Sequence, residues 1–195
     1  MLKSAIARHG KPEIINSDQG SQFTCALWTE YVESLNITIS MDGLNPETHD
    51  WFRGKNGSWE KAMNAIELVT STPDLMYDVV TCVNKRNIDD LEAIRDLLIS
   101  KGVNRWRLFT VFPKGRAKDN PLLQLSSPDF IRLMEFIKQT RRDGSINASY
   151  GCEGYLGKYE MEVRDNPFFC QAGIHIGSVL VDGSISACPS LRADY

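Results

Sequence analysis

The clearest hydrophobic pattern along the chain is an alternation over residues 37–41. Ile37, Ile39 and Met41 are apolar, and one small polar residue separates each from the next. Alternation with a period of two residues is typical of a β-strand, and the Asp-Gly pair that follows it is a turn signal. The pattern therefore predicts a strand at 37–41, where the chain changes from one kind of sequence to another.

Downstream of this strand, helix-like and strand-like apolar segments alternate. A polar loop is predicted over 44–57, and Ser58 is predicted to cap the helix that follows it. Strands and helices that alternate at this spacing form a parallel sheet with helices outside it. We therefore predict an α/β fold with an incomplete, barrel-like (β/α) parallel sheet. Its later elements are predicted as a strand at 76–83, a helix at 88–100, a strand at 106–112, a helix at 128–142 and a strand at 146–150.

Upstream of the strand, residues 1–43 predict a β-α-β unit. A short helix at 2–9 ends at Gly10, a strand is predicted at 13–16, and a helix at 26–35 leads into the strand at 37–41. Parallel units of this kind have a right-handed crossover. Both parts of the chain therefore need the strand at 37–41. The first two strands of a complete barrel are not predicted, so one edge of the sheet is left unpaired and would allow self-association.

A tight hairpin is predicted over residues 179–186. Its Asp182-Gly183 pair supplies the two positive-φ positions of a two-residue turn. Cys170 precedes the hairpin and Cys188 ends its second strand, so the hairpin would return the second thiol toward the first. A metal site and a pair of buried thiols in a small β-element both agree with this spacing.

Composition and charge exclude some classes of protein. Among 195 residues, no apolar run approaches the ~20 needed to cross a bilayer, and the N-terminus lacks the apolar core of a secretion signal. The net charge of −3 gives no basic surface for unspecific binding of nucleic acid. Five cysteines, an odd number without a secretory context, favour a reduced setting over a disulfide framework. We therefore expect a cytoplasmic protein outside the membrane, with Cys82 in its core.

Polar residues follow the predicted strands, at the end of a parallel sheet where such folds carry their chemistry. Taken singly, each fits a solvated loop residue better than a binding residue. Taken together, they resemble the pattern of a known family. They are Asp42, His49, Asp50 and Arg53 after the first of these strands, Asn84 and Asn87 after the second, and Lys114, Gly115 and Arg116 after the third.

Three stretches from this region have a distinctive sequence: SMDGLNPETHDWFRGKNGSWEKAMNAI, VVTCVNKRN and WRLFTVFPKGRA. They resemble radical S-adenosylmethionine enzymes, in particular the enzymes with a SPASM extension that modify peptides or proteins. The resemblance implies a partial barrel at 37–150 in which Ser40, Arg53 and Asn84 bind S-adenosylmethionine, and a peptide or protein substrate. In that family a cluster held by a CxxxCxxC loop reductively splits the cofactor. No such motif occurs in this sequence, so we expect no independent catalysis.

The C-terminal cysteines extend this resemblance. Cys170, twelve residues, Gly183, four residues and Cys188 fit the opening of the SPASM pattern, C-x(9–15)-G-x4-C. The resemblance implies a truncated SPASM-like extension at 151–195 in which Cys170 and Cys188 bind an auxiliary 4Fe-4S cluster, with Cys152 as a further candidate ligand. The later cysteines of the pattern do not occur in this sequence, so we expect the cluster to be incomplete.

The first part of the chain contains HGKPEIINSDQGSQFTCALWTEYVESLNITISMDG. This stretch is similar to the catalytic core of insertion-sequence transposases and integrases, which hold two Mg²⁺ ions with three carboxylates. The similarity implies that Asp18 is the second of these carboxylates, while Gly54 stands where the third is expected. On the residues alone, an Asp before a helix fits a helix cap better than a metal ligand.

Three hypotheses follow from these patterns. The leading one is a chimeric chain, with a transposase-like fragment at 1–43 joined to a radical S-adenosylmethionine and SPASM-like part at 37–195. The second is a magnesium-dependent enzyme that transfers DNA strands and uses Asp18. The third is a non-catalytic binding module built from the partial barrel or the cysteine hairpin.

Overall fold

The computed structural model describes residues 37–113, 117–151, 154–170, 172–174, 177–179 and 185–188. Several predictions made from the sequence lie outside these residues and remain predictions. They are the elements before residue 37 with Asp18, the residues Lys114, Gly115 and Arg116, the candidate ligand Cys152, and the Asp182-Gly183 turn.

Four parallel strands form the main sheet, and they are hydrogen-bonded in chain order: β1 (Ile37–Ser40), β2 (Tyr77–Val83), β3 (Arg105–Thr110) and β4 (Asn147–Tyr150). Ile39 of β1 lies opposite Val79 of β2, and Leu108 of β3 lies opposite Tyr150 of β4. The structure therefore confirms the α/β class with a parallel sheet, which does not close into a barrel among the described residues.

Helices connect the strands, and a small antiparallel ladder follows them. The ladder pairs Val179 with Ile185, which confirms the two strands of the predicted hairpin. None of the described helices combines the length and the apolarity that a bilayer crossing requires. The helices are α1 (Pro46–Arg53), α2 (Ser58–Ser71), α3 (Leu91–Ser100), α4 (Ser127–Asp143) and α5 (Glu160–Val163), with 3-10 turns at Ile88–Asp90 and Gly157–Tyr159, and the ladder strands are β5 (Ser178–Val179) and β6 (Ile185–Ser186).

The hydrophobic core lies between one face of the sheet and helices α2, α3 and α4. Trp106 of β3 is buried and packs edge to face against Phe136 of α4, with ring centroids 5.8 Å apart. Tyr150 of β4 packs in the same way against Phe130. The core also contains Met41, Ile66, Val79, Ile94, Leu98, Leu108, Leu133, Met134 and Ile137, and Cys82 is buried as the sequence predicts.

Successive residues of a strand point to opposite faces of the sheet. The face away from the core carries several polar side chains. The hydroxyl of Thr38 donates a hydrogen bond of 2.6 Å to Asp78. The guanidinium of Arg107 lies 2.8 Å from the second carboxylate oxygen of Asp78. Val80 of β2 pairs with Ser40 of β1 on one side and with Arg107 of β3 on the other. This face therefore offers hydrogen-bonding groups close to the carboxyl end of β1.

The predicted polar loop at 44–57 is wrong, because α1 occupies most of it. The Asn45 side chain accepts a hydrogen bond from the Thr48 amide, Pro46 lies in the first turn, and Gly54 ends the helix with a φ of 65°. These are ordinary start and stop signals of a helix. The segment lacks a long apolar stripe, since His49 is its buried residue, and the hydrophobic pattern alone therefore did not indicate a helix.

A hydrogen-bonded relay across three strands predicts a measurable cost for changing Trp106. Its indole N–H donates to the Thr81 hydroxyl over 2.8 Å, and that hydroxyl donates to the Met41 carbonyl over 2.6 Å. Replacing Trp106 with Phe removes the first bond and leaves a small cavity. We expect the free energy of unfolding, measured by urea denaturation, to fall by about 1–3 kcal/mol. The same change at Trp51, which is 37% exposed, should cost less than about 1 kcal/mol, and an equal loss at both positions would contradict the prediction.

Candidate functional site

Asp42 lies two residues after the end of β1 and is buried at the carboxyl end of the sheet. One carboxylate oxygen accepts a hydrogen bond of 2.7 Å from the Cys82 amide in β2. The other oxygen lies 2.7 Å from the guanidinium of Arg53, at the end of α1. Burial raises the pKa of Asp42, and the Arg53 charge and the Cys82 amide act in the opposite direction. Asp42 therefore ties β1, β2 and α1 together.

His49 is the buried residue of α1 and contacts the same turn. Its Nδ1 accepts a hydrogen bond of 3.0 Å from the Asp42 amide. An imidazole nitrogen that accepts a hydrogen bond carries no proton, so the ring is neutral with its proton on Nε2. Burial, together with the nearby charge of Arg53, lowers the pKa of His49 to about 4. The residue therefore fixes the turn after β1 and stays uncharged near neutral pH.

Asp50, the next residue, fixes the start of α2. Its carboxylate accepts hydrogen bonds from the Gly57 amide (2.6 Å), the Ser58 hydroxyl (2.7 Å) and the Trp59 amide (2.8 Å). Burial acts to raise the pKa of Asp50, but these three hydrogen bonds lower it overall. The prediction that Ser58 caps α2 is wrong, because Ser58 is the first helical residue and Asp50 supplies the capping oxygens from another helix.

Asn87 and Asn84 hold the loop after β2. The Asn87 side chain accepts from the Asn84 amide (2.8 Å) and donates to the carbonyls of Asp42 (2.9 Å) and Cys82 (3.0 Å). The Asn84 side chain accepts from the Arg86 amide (2.9 Å) and donates to the Cys82 carbonyl (3.1 Å). Both asparagines are buried. The carboxyl ends of β1 and β2 are therefore joined by side-chain hydrogen bonds.

The structure brings the three predicted cofactor-binding residues to one end of the sheet. Ser40 is the last residue of β1 and is partly buried, and Asn84 directly follows β2. Arg53 forms an ion pair with Asp42, which lies in the turn after β1. The hydroxyl of Ser40 and the guanidinium of Arg53, which is about one-third exposed, suit a ligand with hydroxyl and carboxylate groups. Asn84 retains one amide N–H beyond the bond described above.

A cavity of about 640 Å³ opens nearby, at the end of β3 and the start of α4. Its lining is mostly apolar and includes Phe112, Pro113, Leu125, Phe130 and Ile131. Polar strand ends at the same edge of the sheet as a mostly apolar cavity suit a ligand that has a flat aromatic ring and a polar tail. S-adenosylmethionine has this chemistry, so the residues at this end of the sheet fit the cofactor that the sequence resemblance implies.

The candidate cluster ligands lie beside the C-terminal ladder. Cys170 is exposed and Cys188 is partly buried. A Cβ atom built on Gly173 would lie 3.5 Å from the Cβ of Ala187, so the chain soon after Cys170 packs against the residue that precedes Cys188. Thiolates are the usual ligands of iron-sulfur clusters, so these two residues fit part of a ligand set. Among the described residues, no three His, Cys, Asp or Glu side chains converge as a metal site would require.

The sequence patterns did not reveal the buried pair of Glu160 and Arg164. The two side chains are 4% and 8% exposed, and an oxygen of Glu160 lies 2.9 Å from Arg164 Nη1. Burial acts to raise the pKa of Glu160, but hydrogen bonds from the amides of Leu156 and Phe168 and from Arg164 lower it overall. Opposite charges four residues apart were the available signal, since such residues face each other on a helix, although Arg164 itself follows the helix that Glu160 begins.

The fold and the site together define a class: an α/β protein with an open parallel sheet whose polar residues gather at the carboxyl ends of the strands. No protein-family model matches the chain. Over 156 residues the chain is 27% identical to the AdoMet-dependent heme synthase of Methanosarcina barkeri. The matched region covers 75% of this chain and 43% of that protein. Over 161 residues it is 23% identical to the sporulation killing factor maturation protein SkfB of Bacillus subtilis, covering 81% of this chain and 37% of SkfB.

A solved structure shares the fold. It is anSMEcpe with bound AdoMet (S-adenosylmethionine) and the Cp18Cys peptide, and it matches with a TM-score of 0.52 and 12% sequence identity over 74% of this chain. The match covers 44% of the anSMEcpe chain, so this chain spans less than half the length of the proteins it resembles. The comparisons support the resemblance to radical S-adenosylmethionine enzymes. The resemblance of residues 1–43 to transposases stays a prediction.

Proposed function

We propose that this chain binds S-adenosylmethionine at the carboxyl ends of β1 and β2 and forms part of a radical S-adenosylmethionine enzyme that modifies a peptide or protein. The observation that carries the proposal is the shared fold with anSMEcpe, combined with the gathering of Ser40, Arg53 and Asn84 at one end of the sheet. The anSMEcpe structure has both AdoMet and a peptide bound, and SkfB is a maturation protein, which supports a peptide as the substrate.

Each proposed ligand has a defined role in this arrangement. Ser40 and Asn84 supply a hydroxyl and an amide that hydrogen-bond to the ribose or the amino-acid end of the cofactor. Arg53 supplies the positive charge for its carboxylate while Asp42 holds the guanidinium in place. The mostly apolar cavity lined by Phe112 and Phe130 is the proposed place for the adenine ring. When bound, the cofactor supplies radical chemistry that requires a reduced iron-sulfur cluster.

These 195 residues contain no CxxxCxxC motif, so we propose that they bind the cofactor without cleaving it. We further propose that Cys170 and Cys188 bind an auxiliary iron-sulfur cluster, with Cys152 as a further ligand. Residues 1–43 are proposed to derive from a transposase core that supplies a β-α-β unit to the same sheet. The three proposed parts are thus 1–43, 37–150 and 151–195.

Binding of S-adenosylmethionine, measured by isothermal titration calorimetry, tests the first part of the proposal. Ser40→Ala and Arg53→Gln should each weaken the affinity by about tenfold, because each removes one hydrogen bond or ion pair to the ligand. Arg105→Gln is the control, since Arg105 lies at the other end of β3 and is exposed. Circular dichroism should show an unchanged fold for Ser40→Ala, which leaves the Asp42 ion pair intact.

Two outcomes would overturn this proposal. The first is wild-type protein that does not bind S-adenosylmethionine, or variants at Ser40 and Arg53 that bind it as tightly as the control does. The second is magnesium-dependent cleavage of a DNA end that disappears in Asp18→Asn, which would favour the strand-transfer hypothesis instead.

A further inference from the structure

The ion pair between Glu160 and Arg164 is buried, although it lies beyond the main sheet: Glu160 is the first residue of α5 and Arg164 directly follows that helix. Both side chains are less than one-tenth exposed. Removing two charges from water is costly, and such a pair is stable only when further hydrogen bonds satisfy its remaining donors and acceptors. The partners that provide those hydrogen bonds therefore show what the ion pair holds together.

Arg164 contacts the chain that leaves β4. It donates hydrogen bonds to the carbonyls of Gly151 (3.1 Å) and Gly154 (3.0 Å). Its guanidinium also lies over the ring of Tyr150 at 5.5 Å and over the ring of Phe168 at 5.2 Å. One side chain thus binds the end of the sheet, the loop after it, and the segment that leads to the C-terminal ladder.

Glu160 contacts the same segments from the other side. It accepts a hydrogen bond of 2.8 Å from the Leu156 amide and another hydrogen bond from the Phe168 amide. Phe168 is therefore bound twice, through its amide by Glu160 and through its ring by Arg164. The chain has a fixed position two residues before Cys170.

A second fixed position lies next to Cys188. Gly173 packs against Ala187, and the Cys188 amide and the Ser186 hydroxyl hydrogen-bond within the same turn. Cys170 thus lies between Phe168, which the ion pair holds, and Gly173, which packs beside Cys188. Only short lengths of chain separate each thiol from a point that is fixed in the structure.

We propose that the Glu160–Arg164 ion pair positions the thiol of Cys170 within reach of Cys188. The inference rests on the proposed function for the role of the two thiols as ligands of one iron-sulfur cluster. Neither Glu160 nor Arg164 contacts the metal in this arrangement. Both act through the segment at Phe168, so they are positioning residues.

The experiment compares Arg164→Met with wild type by two readouts. The first is the yield of the Cys170–Cys188 disulfide after mild oxidation of iron-free protein by diamide, which takes up the two protons and two electrons that the thiols lose. Peptide mass spectrometry identifies the linked residues. The second is the iron bound per chain after anaerobic reconstitution with iron and sulfide. Arg164→Met should lower both by about tenfold, because the thiols lose their high effective concentration.

Two further variants separate positioning from general loss of structure. Arg164→Lys keeps the charge but lacks the planar fork that reaches several acceptors, so we expect intermediate values for both readouts. Arg142→Met is the matched control, since Arg142 is 60% exposed and its ion pair with Glu162 lies at the surface. It should leave both readouts within about twofold of wild type.

The outcomes distinguish this inference from the proposed function. An unchanged disulfide yield in Arg164→Met, with circular dichroism showing an intact sheet, overturns the positioning role. Equal losses in Arg164→Met and Arg142→Met also overturn it. If the disulfide depends on Arg164 but wild-type protein binds no iron, the positioning role is supported and the proposed cluster is overturned.

Discussion

Replacing Asn87 with Ala should lower the free energy of unfolding by about 3–5 kcal/mol, the largest stability effect that we expect in the described residues. The Asn87 side chain is fully buried and satisfies three backbone groups: the amide of Asn84 and the carbonyls of Asp42 and Cys82. Alanine leaves the buried Asn84 amide and Asp42 carbonyl without this partner, whereas the Cys82 carbonyl keeps its hydrogen bond from the Asn84 side chain. Urea denaturation followed by circular dichroism measures the loss.

The control for this change is Asn64→Ala. Asn64 lies on the exposed face of α2, so the same chemical change there should alter stability by less than about 0.5 kcal/mol. A loss below about 1 kcal/mol for Asn87→Ala would contradict the prediction, because it would mean that water or a rearranged loop satisfies the backbone groups that lose this partner. Under the proposed function, Asn87→Ala should also weaken the binding of S-adenosylmethionine, since it releases the loop that carries Asn84.

The alternating pattern at 37–41 was sufficient to predict β1, and the later strands and helices followed from the same reasoning. Apolar residues with a period of two or of 3.6 must face the core, so their spacing fixes the type of each element. The strand at 37–41 was predicted to belong to both parts of the chain. Its parallel pairing with β2, with Ile39 opposite Val79, confirms that it belongs to the sheet of the downstream part. Its place in the upstream part stays a prediction.

The capping of α2 could not be predicted in the same way. Asp50 stabilises the start of α2 from within α1, so the signal depends on how two helices are placed relative to each other. The sequence shows only that Ser58, a common capping residue, precedes an apolar stripe. Local preference therefore identified the start of the helix to within one residue and the wrong residue for its cap.

The grouping of polar residues at the carboxyl ends of β1 and β2 was predictable, but the interactions among them were not. Strand ends in a parallel sheet lie at one edge, so the sequence placed Asp42, Arg53 and Asn84 near one another. It did not indicate that Asp42 is buried, that Arg53 is its ion-pair partner, or that Asn84 already binds two backbone groups. These interactions depend on the turn after β1, whose course is set by α1.

The same turn makes stability depend on pH. His49 is neutral in the folded protein with a pKa of about 4, whereas an unfolded chain has a His pKa near 6.5. Above pH 6.5 the residue is neutral in both states, and its contribution to stability is fully present. Between pH 6.5 and 4 the unfolded chain takes up a proton that the folded protein does not, so the free energy of unfolding falls as the pH falls. The total loss should be roughly 2–3 kcal/mol.

Two variants at position 49 isolate this effect in urea denaturation between pH 4 and 7. His49→Asn places an amide oxygen where Nδ1 accepts the hydrogen bond from Asp42, but it does not titrate, so its stability should vary with pH by roughly 2–3 kcal/mol less than that of wild type. His49→Leu removes the acceptor as well, and it should be less stable than His49→Asn at pH 7 because the buried Asp42 amide loses its partner. Equal pH dependence in wild type and His49→Asn would mean that other groups cause the acid sensitivity. Equal stability of the two variants at pH 7 would mean that the hydrogen bond to the Asp42 amide contributes nothing to the turn that presents Arg53.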